Sequence, residues 1–162
     1  MHLTTKSVVS KVLSDKTFNI CVDLGCGNGS AGDVLKPHCV TLIGVDHNLP
    51  RLSVAKEFGG YDQVVYSDVR SYKIPYNADA VSMFDFIEHI PRIDCIKLLQ
   101  SLRNVPFVVL TTPTKFFQIA RDGHLPDSVW SKQELESYGF KVTEYSEGIY
   151  DLLYGSKLLA VK

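Results

Sequence analysis

The stretch Val22-Asp23-Leu24-Gly25-Cys26-Gly27-Asn28-Gly29-Ser30 decides the fold of this chain. It ends an apolar run that begins at Phe18, which is typical of a buried β-strand. It also precedes a short helical pattern through Val34 and Leu35. Glycine accepts positive φ values and lets the backbone approach a ligand closely. The stretch therefore predicts a strand-to-helix turn that contacts a ligand.

Strand and helix patterns alternate on either side of this turn. Short apolar runs predict seven strands, over residues 18–24, 40–45, 63–67, 78–84, 107–111, 140–144 and 157–161. The first strand is preceded by a predicted helix capped by Thr4 or Thr5, and the segments between strands predict a short helix that stops before Pro37 and further helices over 50–58 and 92–103. The helix over 92–103 carries Ile93, Ile96, Leu99 and Leu102 on its buried face. A last helix begins at a capping box of Ser131 and Glu134 and ends at Gly139. The alternation predicts an α/β fold, with helices on both faces of a mostly parallel sheet and an antiparallel last strand.

The composition is that of one globular domain, which we expect to cover residues 1–162 without an inserted lid. Hydrophobic residues make up 45% of the chain and charged residues 22%, and the net charge of −1 gives no indication of a nucleic-acid partner. The four cysteines lack the spacing of zinc sites. Because no secretory signal and no apolar run of about 20 residues is present, we expect a cytoplasmic protein without a membrane span.

The acid before the glycines narrows the class of ligand. The spacing is G-x-G-x-G rather than the G-x-G-x-x-G of dinucleotide-binding turns, and Asp23 lies two residues before Gly25. A carboxylate at this position would repel a pyrophosphate and attract an ammonium group. The pattern therefore disfavours a nicotinamide-dependent oxidoreductase. It favours S-adenosylmethionine, which carries an ammonium group and no phosphate.

The run from Asp23 to Gly29 resembles the first motif of the class I S-adenosylmethionine-dependent methyltransferases, acidic-x-G-x-G-x-G. The resemblance extends over most of the chain and implies a Rossmann-like three-layer sandwich that binds S-adenosylmethionine. Asp46 ends the second predicted strand, where the family places an acid that accepts hydrogen bonds from both ribose hydroxyls. Asp68 ends the third, where the family uses an acid to accept from the adenine amino group, and the Val69 backbone amide would complete the adenine edge.

The segment 79–90 resembles the fourth-strand region of the subgroup that includes ubiquinone-type O-methyltransferases. This resemblance implies that Met83, Phe84 and Asp85 pass beside the methionine part of the cofactor. The residues predicted to bind the cofactor are therefore Asp23, Gly25, Cys26, Gly27, Asn28, Gly29, Asp46, His47, Asp68, Val69, Phe84 and Asp85.

Two histidines are the candidates for a general base. Methyl transfer from a sulfonium mainly requires alignment and desolvation, and a base is needed only when the acceptor must lose a proton. His89 follows the fourth strand near the predicted methyl position, and His124 lies in the long segment 112–130. For His89 the alternative is a role in orienting its loop, and for His124 an exposed loop position. Glu88 is interpreted as a group that braces the loop.

Several alternatives remain open from the sequence. The run Asp85-x-x-Glu88-His89, followed by His124 and Trp130, resembles metal-dependent small-RNA 2′-O-methyltransferases, although our preferred interpretation has no metal site. The chain is also compatible with a non-catalytic cofactor-binding partner subunit, and its open crevice suggests a homo-oligomer or a partner chain. Late aromatic residues are predicted either to line an acceptor pocket or to pack in the core: Phe116, Phe117, Trp130, Tyr145, Tyr150 and Tyr154. The acceptor remains undefined, whether a small molecule, RNA or protein.

Overall fold

The computed structural model of the chain describes residues 4–115, 128–148 and 155–162. Its helices are α1 (Thr5–Leu13), α2 (Gly32–Leu35), α3 (Leu49–Phe58), α4 (Arg92–Ser101) and α5 (Lys132–Ser137). Its strands are β1 (Phe18–Leu24), β2 (Cys39–Asp46), β3 (Gln63–Tyr66), β4 (Ala80–Phe84), β5 (Phe107–Pro113), β6 (Lys141–Tyr145) and β7 (Lys157–Val161). Short 3₁₀ turns cover Lys36–His38, Ile87–His89 and Leu102–Asn104.

The strands form one sheet in the order β3-β2-β1-β4-β5-β7-β6. The pairs among β3, β2, β1, β4 and β5 are parallel. Strand β7 is antiparallel to both of its neighbours, β5 and β6. The prediction of a mostly parallel seven-stranded sheet with an antiparallel last strand is therefore confirmed. The order reverses between β1 and β4, where open α/β sheets leave a crevice at the carboxyl ends of the strands.

Alternating side chains of the buried strands divide the core into two clusters, one on each face of the sheet. On one face, Val9 of α1, Leu35 of α2 and Leu52 of α3 pack with Cys21 of β1. On the other face, residues of α4 and α5 pack with Val22 and its neighbours. Helices thus cover both faces, and the three-layer arrangement is confirmed. In the described part of the chain, no helix is long and apolar enough to cross a membrane.

The helix boundaries follow local hydrogen-bonding residues. The Thr4 side chain accepts from the Ser7 amide and caps α1, and Ser131 forms a capping box with Glu134 at the start of α5.

One prediction about the buried face of α4 was wrong. Ile93 is 60% exposed, and Cys95, Leu99 and Leu102 are buried. The helix begins at Arg92 as predicted, but its buried side includes Cys95 and leaves Ile93 facing solvent.

Two late aromatic residues lie in the described part of the chain. Trp130 and Tyr145 are both buried in the core, and Trp130 also borders a cavity lined by Thr114, Lys115 and Ser156. The other late aromatic residues, Phe116, Phe117, Tyr150 and Tyr154, lie outside the described residues.

Candidate functional site

The glycine turn between β1 and α2 lies at the carboxyl edge of the sheet. Gly25, Gly27 and Gly29 all have positive φ, at 74°, 54° and 85°. The backbone amides of Gly25 and Cys26 donate to the carbonyl of Val45 at 2.8 and 3.1 Å, which ties the turn to the end of β2. The turn is therefore held by the sheet before any ligand binds.

The three glycines are needed for different reasons. A Cβ at Gly25 would lie 2.0 Å from the Phe86 ring, and one at Gly29 would lie 2.8 Å from the Gly59 Cα. A Cβ at Gly27 would have no protein atom within 4 Å. Packing within the protein thus explains the first and third glycines, whereas the second borders open space. A ligand that approaches the backbone closely fits that space.

Asp46 joins the glycine turn to the end of β2. It is 8% exposed. Its Oδ2 accepts from the Gly27 amide at 2.8 Å, and its Oδ1 accepts from the Asn48 amide at 2.7 Å. The neighbouring His47 is exposed, with Nδ1 3.9 Å from Asp46 Oδ1, and Asn28 in the turn is also exposed. The structure therefore brings the predicted ribose acid and the middle glycine into direct contact.

Asp23 lies beneath the turn, with both carboxylate oxygens hydrogen-bonded. Tyr61 Oη donates to Oδ2 at 2.6 Å and Ser82 Oγ donates to Oδ1 at 2.7 Å. Asp23 is only 2% exposed, and this burial raises its pKa to about 6. A direct contact between Asp23 and a ligand therefore stays a prediction, because the carboxylate is directed toward two hydroxyl groups of the protein.

Sequence reasoning missed Tyr61. Gly59 and Gly60 mark the end of α3, but no spacing rule connects the following tyrosine with an acid 38 residues earlier. The contact arises because Tyr61, just before β3, lies with its ring against Gly44 of β2, and its hydroxyl reaches Asp23 on the next strand, β1. Only the three-dimensional path of the chain brings the two residues together.

Asp68 and Val69 lie after β3, at the predicted adenine end of the crevice. The guanidinium and amide of Arg70 donate to the Asp68 carboxylate, with Nε to Oδ2 at 2.9 Å and N to Oδ1 at 2.9 Å. These bonds lower the pKa of Asp68 to about 2. Val69 is buried. Val69 and Arg70 also border a cavity of about 490 Å³, whose other walls are residues 72–78 and α4, so this cavity adjoins the crevice at that end only.

Phe84 and Asp85 end β4 at the centre of the same edge. Asp85 has a φ of 48°, which is unusual for a residue with a side chain. Its Oδ1 accepts from Thr111 Oγ1 at 3.1 Å and its Oδ2 lies 2.5 Å from Lys157 Nζ. Lys157, which sequence reasoning also missed, lies 3.2 Å from a Glu147 carboxylate oxygen. Burial would lower the pKa of Lys157, but the two carboxylates outweigh burial and raise it.

The Glu-His pair follows in the 3₁₀ turn after β4. Glu88 is 2% exposed, and Thr112 Oγ1 donates to its Oε2 at 3.1 Å. Burial, together with the nearby Asp85 carboxylate, raises the pKa of Glu88 well above its usual value. His89 is exposed and its amide donates to the Phe86 carbonyl at 2.9 Å. The interpretation of Glu88 as a loop-bracing group fits these contacts.

The structure describes only one of the two histidines predicted as a general base. The structure places His89 at the carboxyl edge beside Asp85 and Glu88, and its catalytic role stays a prediction. His124 lies outside the described residues. Within residues 4–115, 128–148 and 155–162, no group of three or more His, Cys, Asp and Glu side chains has the arrangement of a metal site.

Comparison with known proteins identifies the kind of domain. A family model described as a methyltransferase domain matches residues 5–130. No curated protein matches the sequence.

Solved structures share the fold at low sequence identity. The N-methyltransferase NodS from Bradyrhizobium japonicum, in complex with S-adenosyl-L-homocysteine, is 12% identical, with a TM-score of 0.74 over 96% of this chain and 83% of that chain. The methyltransferase domain of bacterial CtHen1 is 22% identical, with a TM-score of 0.67 over 96% of this chain and 95% of that chain. Magnesium protoporphyrin IX methyltransferase from Synechocystis PCC 6803, with bound S-adenosyl-L-homocysteine, is 19% identical, with a TM-score of 0.68 over 96% of this chain and 80% of that chain.

Proposed function

The chain belongs to the methyltransferase-domain family, and from this premise we propose that it is an S-adenosylmethionine-dependent methyltransferase whose cofactor lies along the carboxyl edge of β1, β2, β3 and β4. Along that edge the order is Asp68 after β3, Asp46 at the end of β2, the glycine turn after β1 and then the end of β4. Two proteins with the same fold, NodS and the magnesium protoporphyrin IX methyltransferase, were crystallised with S-adenosyl-L-homocysteine. This supports the same cofactor class here.

The observation that carries the proposal is the bond from the Gly27 amide to Asp46 Oδ2. It brings the middle glycine, which borders open space, and the acid at the end of β2 to the same point of the crevice. A carboxylate has further lone pairs after accepting one hydrogen bond on each oxygen. Asp46 can therefore accept from a vicinal diol while it still holds the turn, as a ribose requires.

The reaction requires the protein mainly to align the cofactor and the methyl acceptor. S-adenosylmethionine supplies an activated methyl group on its sulfonium. The rigid edge of the sheet holds the ligand in a fixed direction, and Phe84 and Asp85 define the end where the acceptor approaches. His89 is the described residue proposed to take a proton from a hydroxyl acceptor.

The metal-assisted alternative would use a cluster of carboxylates and imidazoles from Asp85, Glu88, His89 and His124, of which His124 lies outside the described residues. Lys157 Nζ lies 2.5 Å from Asp85, so an ammonium group already neutralises that carboxylate. Glu88 is buried against Thr112, and its raised pKa favours the protonated form, which is a poor ligand. These contacts favour a reaction without a metal. Turnover that is unchanged by EDTA would agree with this, whereas turnover that depends on added Mn²⁺ would support the alternative.

Calorimetric titration tests the cofactor proposal. We expect S-adenosylmethionine and S-adenosylhomocysteine to bind and NAD not to bind. Asp46→Ala should weaken binding by about 1–3 kcal/mol, because it removes charge-assisted hydrogen bonds. Asp46→Asn, which keeps one acceptor oxygen, should have a smaller effect. The matched control is Asp33→Ala on α2, where the carboxylate is exposed and pairs with Lys6 away from the crevice.

Two results would contradict the proposal in different ways. An unchanged Kd in Asp46→Ala would remove the ribose assignment and leave the cofactor class intact. Folded wild-type protein that binds neither S-adenosyl compound would remove the cofactor class and favour a non-catalytic scaffold, and a search for its partner chain would follow.

A further inference from the structure

Tyr61 occupies a central position beneath the glycine turn. Its side chain is buried, and a Cβ at Gly32, Gly44 or Gly59 would lie only 3.1, 2.8 and 2.8 Å from the ring. These glycines belong to α2, β2 and the end of α3. The ring is therefore enclosed by backbone from three elements, and its hydroxyl group has a fixed direction.

That direction leads to the Asp23 carboxylate. The Tyr61 hydroxyl donates to Oδ2 at 2.6 Å, and Ser82 donates to Oδ1 at 2.7 Å. Both partners are uncharged, so neither neutralises the carboxylate. Burial and the Asp46 carboxylate favour the protonated acid, whereas the two hydroxyl bonds favour the ionised one. The thiols of Cys21 and Cys26 also face this carboxylate.

A buried carboxylate with only hydroxyl partners attracts cations strongly, because the surrounding dielectric constant is low. Resting on the proposed function, we propose that Tyr61 is a positioning residue of the cofactor site: its hydroxyl holds the Asp23 carboxylate beneath the glycine turn as the counter-charge for a cationic cofactor. The carboxylate then acts on the ligand through its charge, without a direct contact. Binding should therefore weaken as Asp23 becomes protonated.

The test measures cofactor affinity against pH. S-adenosylmethionine is titrated into wild type, Tyr61→Phe and the control Tyr138→Phe between pH 5 and 8.5. Tyr138 follows α5 and packs against Trp130, outside the proposed cofactor crevice, and its variant should match wild type. Loss of the Tyr61 hydroxyl should raise the Kd at pH 7 roughly twofold to tenfold, as expected when the pKa of Asp23 rises by one or two units from about 6. The pH at which affinity is half lost should also move upward.

Two further variants separate positioning from general damage to the fold. Ser82→Ala removes the other hydroxyl bond and should move the pH midpoint in the same direction. In an Asp23→Asn background, Tyr61→Phe should have no further effect on the Kd, because no carboxylate remains to be held. His47 lies beside Asp46 and is present in every variant compared, so differences between variants report on Asp23.

The outcomes are distinct. A wild type that binds S-adenosylmethionine, together with unchanged affinity and pH midpoint in Tyr61→Phe and Ser82→Ala, overturns the inference and leaves the proposed function standing. Equal losses from Tyr61→Phe with and without the Asp23 carboxylate also overturn it, since the tyrosine would then act through packing alone. A folded wild type that does not bind overturns the proposed function itself, and this inference with it.

Discussion

At the scale of single residues, the candidate site contains an acid that works against the stability of the fold. Asp23 is 2% exposed, and burial raises its pKa to about 6. An unfolded aspartate has a pKa of about 3.9. Between these pH values Asp23 binds its proton more tightly in the folded protein than in the unfolded chain. The contribution of Asp23 to the free energy of unfolding is therefore most favourable at low pH and becomes less favourable as pH rises toward 6. At pH values above 6, the ionised Asp23 lowers the free energy of unfolding by about 3 kcal/mol in total.

Asp23→Asn should therefore stabilise the ligand-free protein. We expect its free energy of unfolding at pH 7.5 to exceed that of wild type by about 1–2 kcal/mol, because the amide has no ionisation cost. The gain should disappear near pH 4, and cofactor affinity should decrease. Urea unfolding at several pH values measures this. Asp62→Asn is the control, since Lys36 lowers the pKa of Asp62 and its loss should destabilise the protein at pH 7.5. A less stable Asp23→Asn would contradict the account.

Individual site residues differ in how far the sequence predicts them. Asp23, Gly27 and Asp46 follow a linear spacing, and the structure brings them to one edge. Tyr61 and Lys157 follow no such spacing, because their partners Asp23 and Asp85 are 38 and 72 residues away. Charge neutralisation and hydrogen bonding to buried acids depend on the packed structure. They leave no local pattern for sequence reasoning to detect.

At the scale of elements, two glycines of the turn between β1 and α2 are required for packing within the protein, and the third borders the space assigned to the ligand. Gly25 and Gly29 lie against Phe86 and Gly59, whereas Gly27 borders open space. A methyl group at Gly27 would therefore cost mainly the strain of a positive φ. It would also project toward the space assigned to the ligand.

Gly27→Ala is accordingly expected to fold and to lose cofactor binding. Its free energy of unfolding should fall by about 1–2 kcal/mol, the cost of a left-handed conformation for alanine. Its Kd for S-adenosylmethionine should rise at least about tenfold, since a Cβ in the crevice displaces the ligand. Gly60→Ala is a matched control, because Gly60 has a φ of 72° and equally open surroundings outside the turn. Equal cofactor affinity in both variants would show that Gly27 does not border the ligand.

Most elements agree with their predicted ranges because buried parallel strands give short, continuous apolar runs. Strands β1 and β7 match the predicted residues, and β4 begins two residues later than predicted, at Ala80. The exception in α4 has a physical cause. Its apolar residues are spread around the helix, so periodicity alone did not distinguish the exposed Ile93 from the buried Cys95.

At the scale of the whole molecule, one buried cation joins the beginning, middle and end of the chain. Lys157 on β7 lies 2.5 Å from Asp85 after β4, 3.2 Å from Glu147 after β6 and 3.2 Å from Thr5 Oγ1 at the start of α1. Thr5 also donates to Glu147 through its amide at 2.6 Å. The antiparallel end of the sheet is thereby fixed to the end of β4, where the acceptor is proposed to approach.

Lys157→Met tests whether this junction stabilises the fold. Removal of the ammonium leaves two carboxylates facing each other. We expect a loss of about 1–3 kcal/mol in the free energy of unfolding, which is below the value for a fully buried pair because Asp85 is 40% exposed.

The raised pKa of Lys157 means that its contribution to stability is present at every pH below its ordinary value near 10.4 and is lost above its folded value. The difference from wild type should shrink as the carboxylates become protonated in acid. It should grow as pH rises through about 8, because Lys157 lowers the pKa of the buried Glu88 and its loss makes ionisation of Glu88 more costly. Lys97→Met, which removes an exposed ion pair with Asp94, should change stability by less than about 0.5 kcal/mol. Urea unfolding that gives equal losses for both variants would show that the junction contributes no more than a surface pair, and that packing of β7 alone holds the end of the sheet.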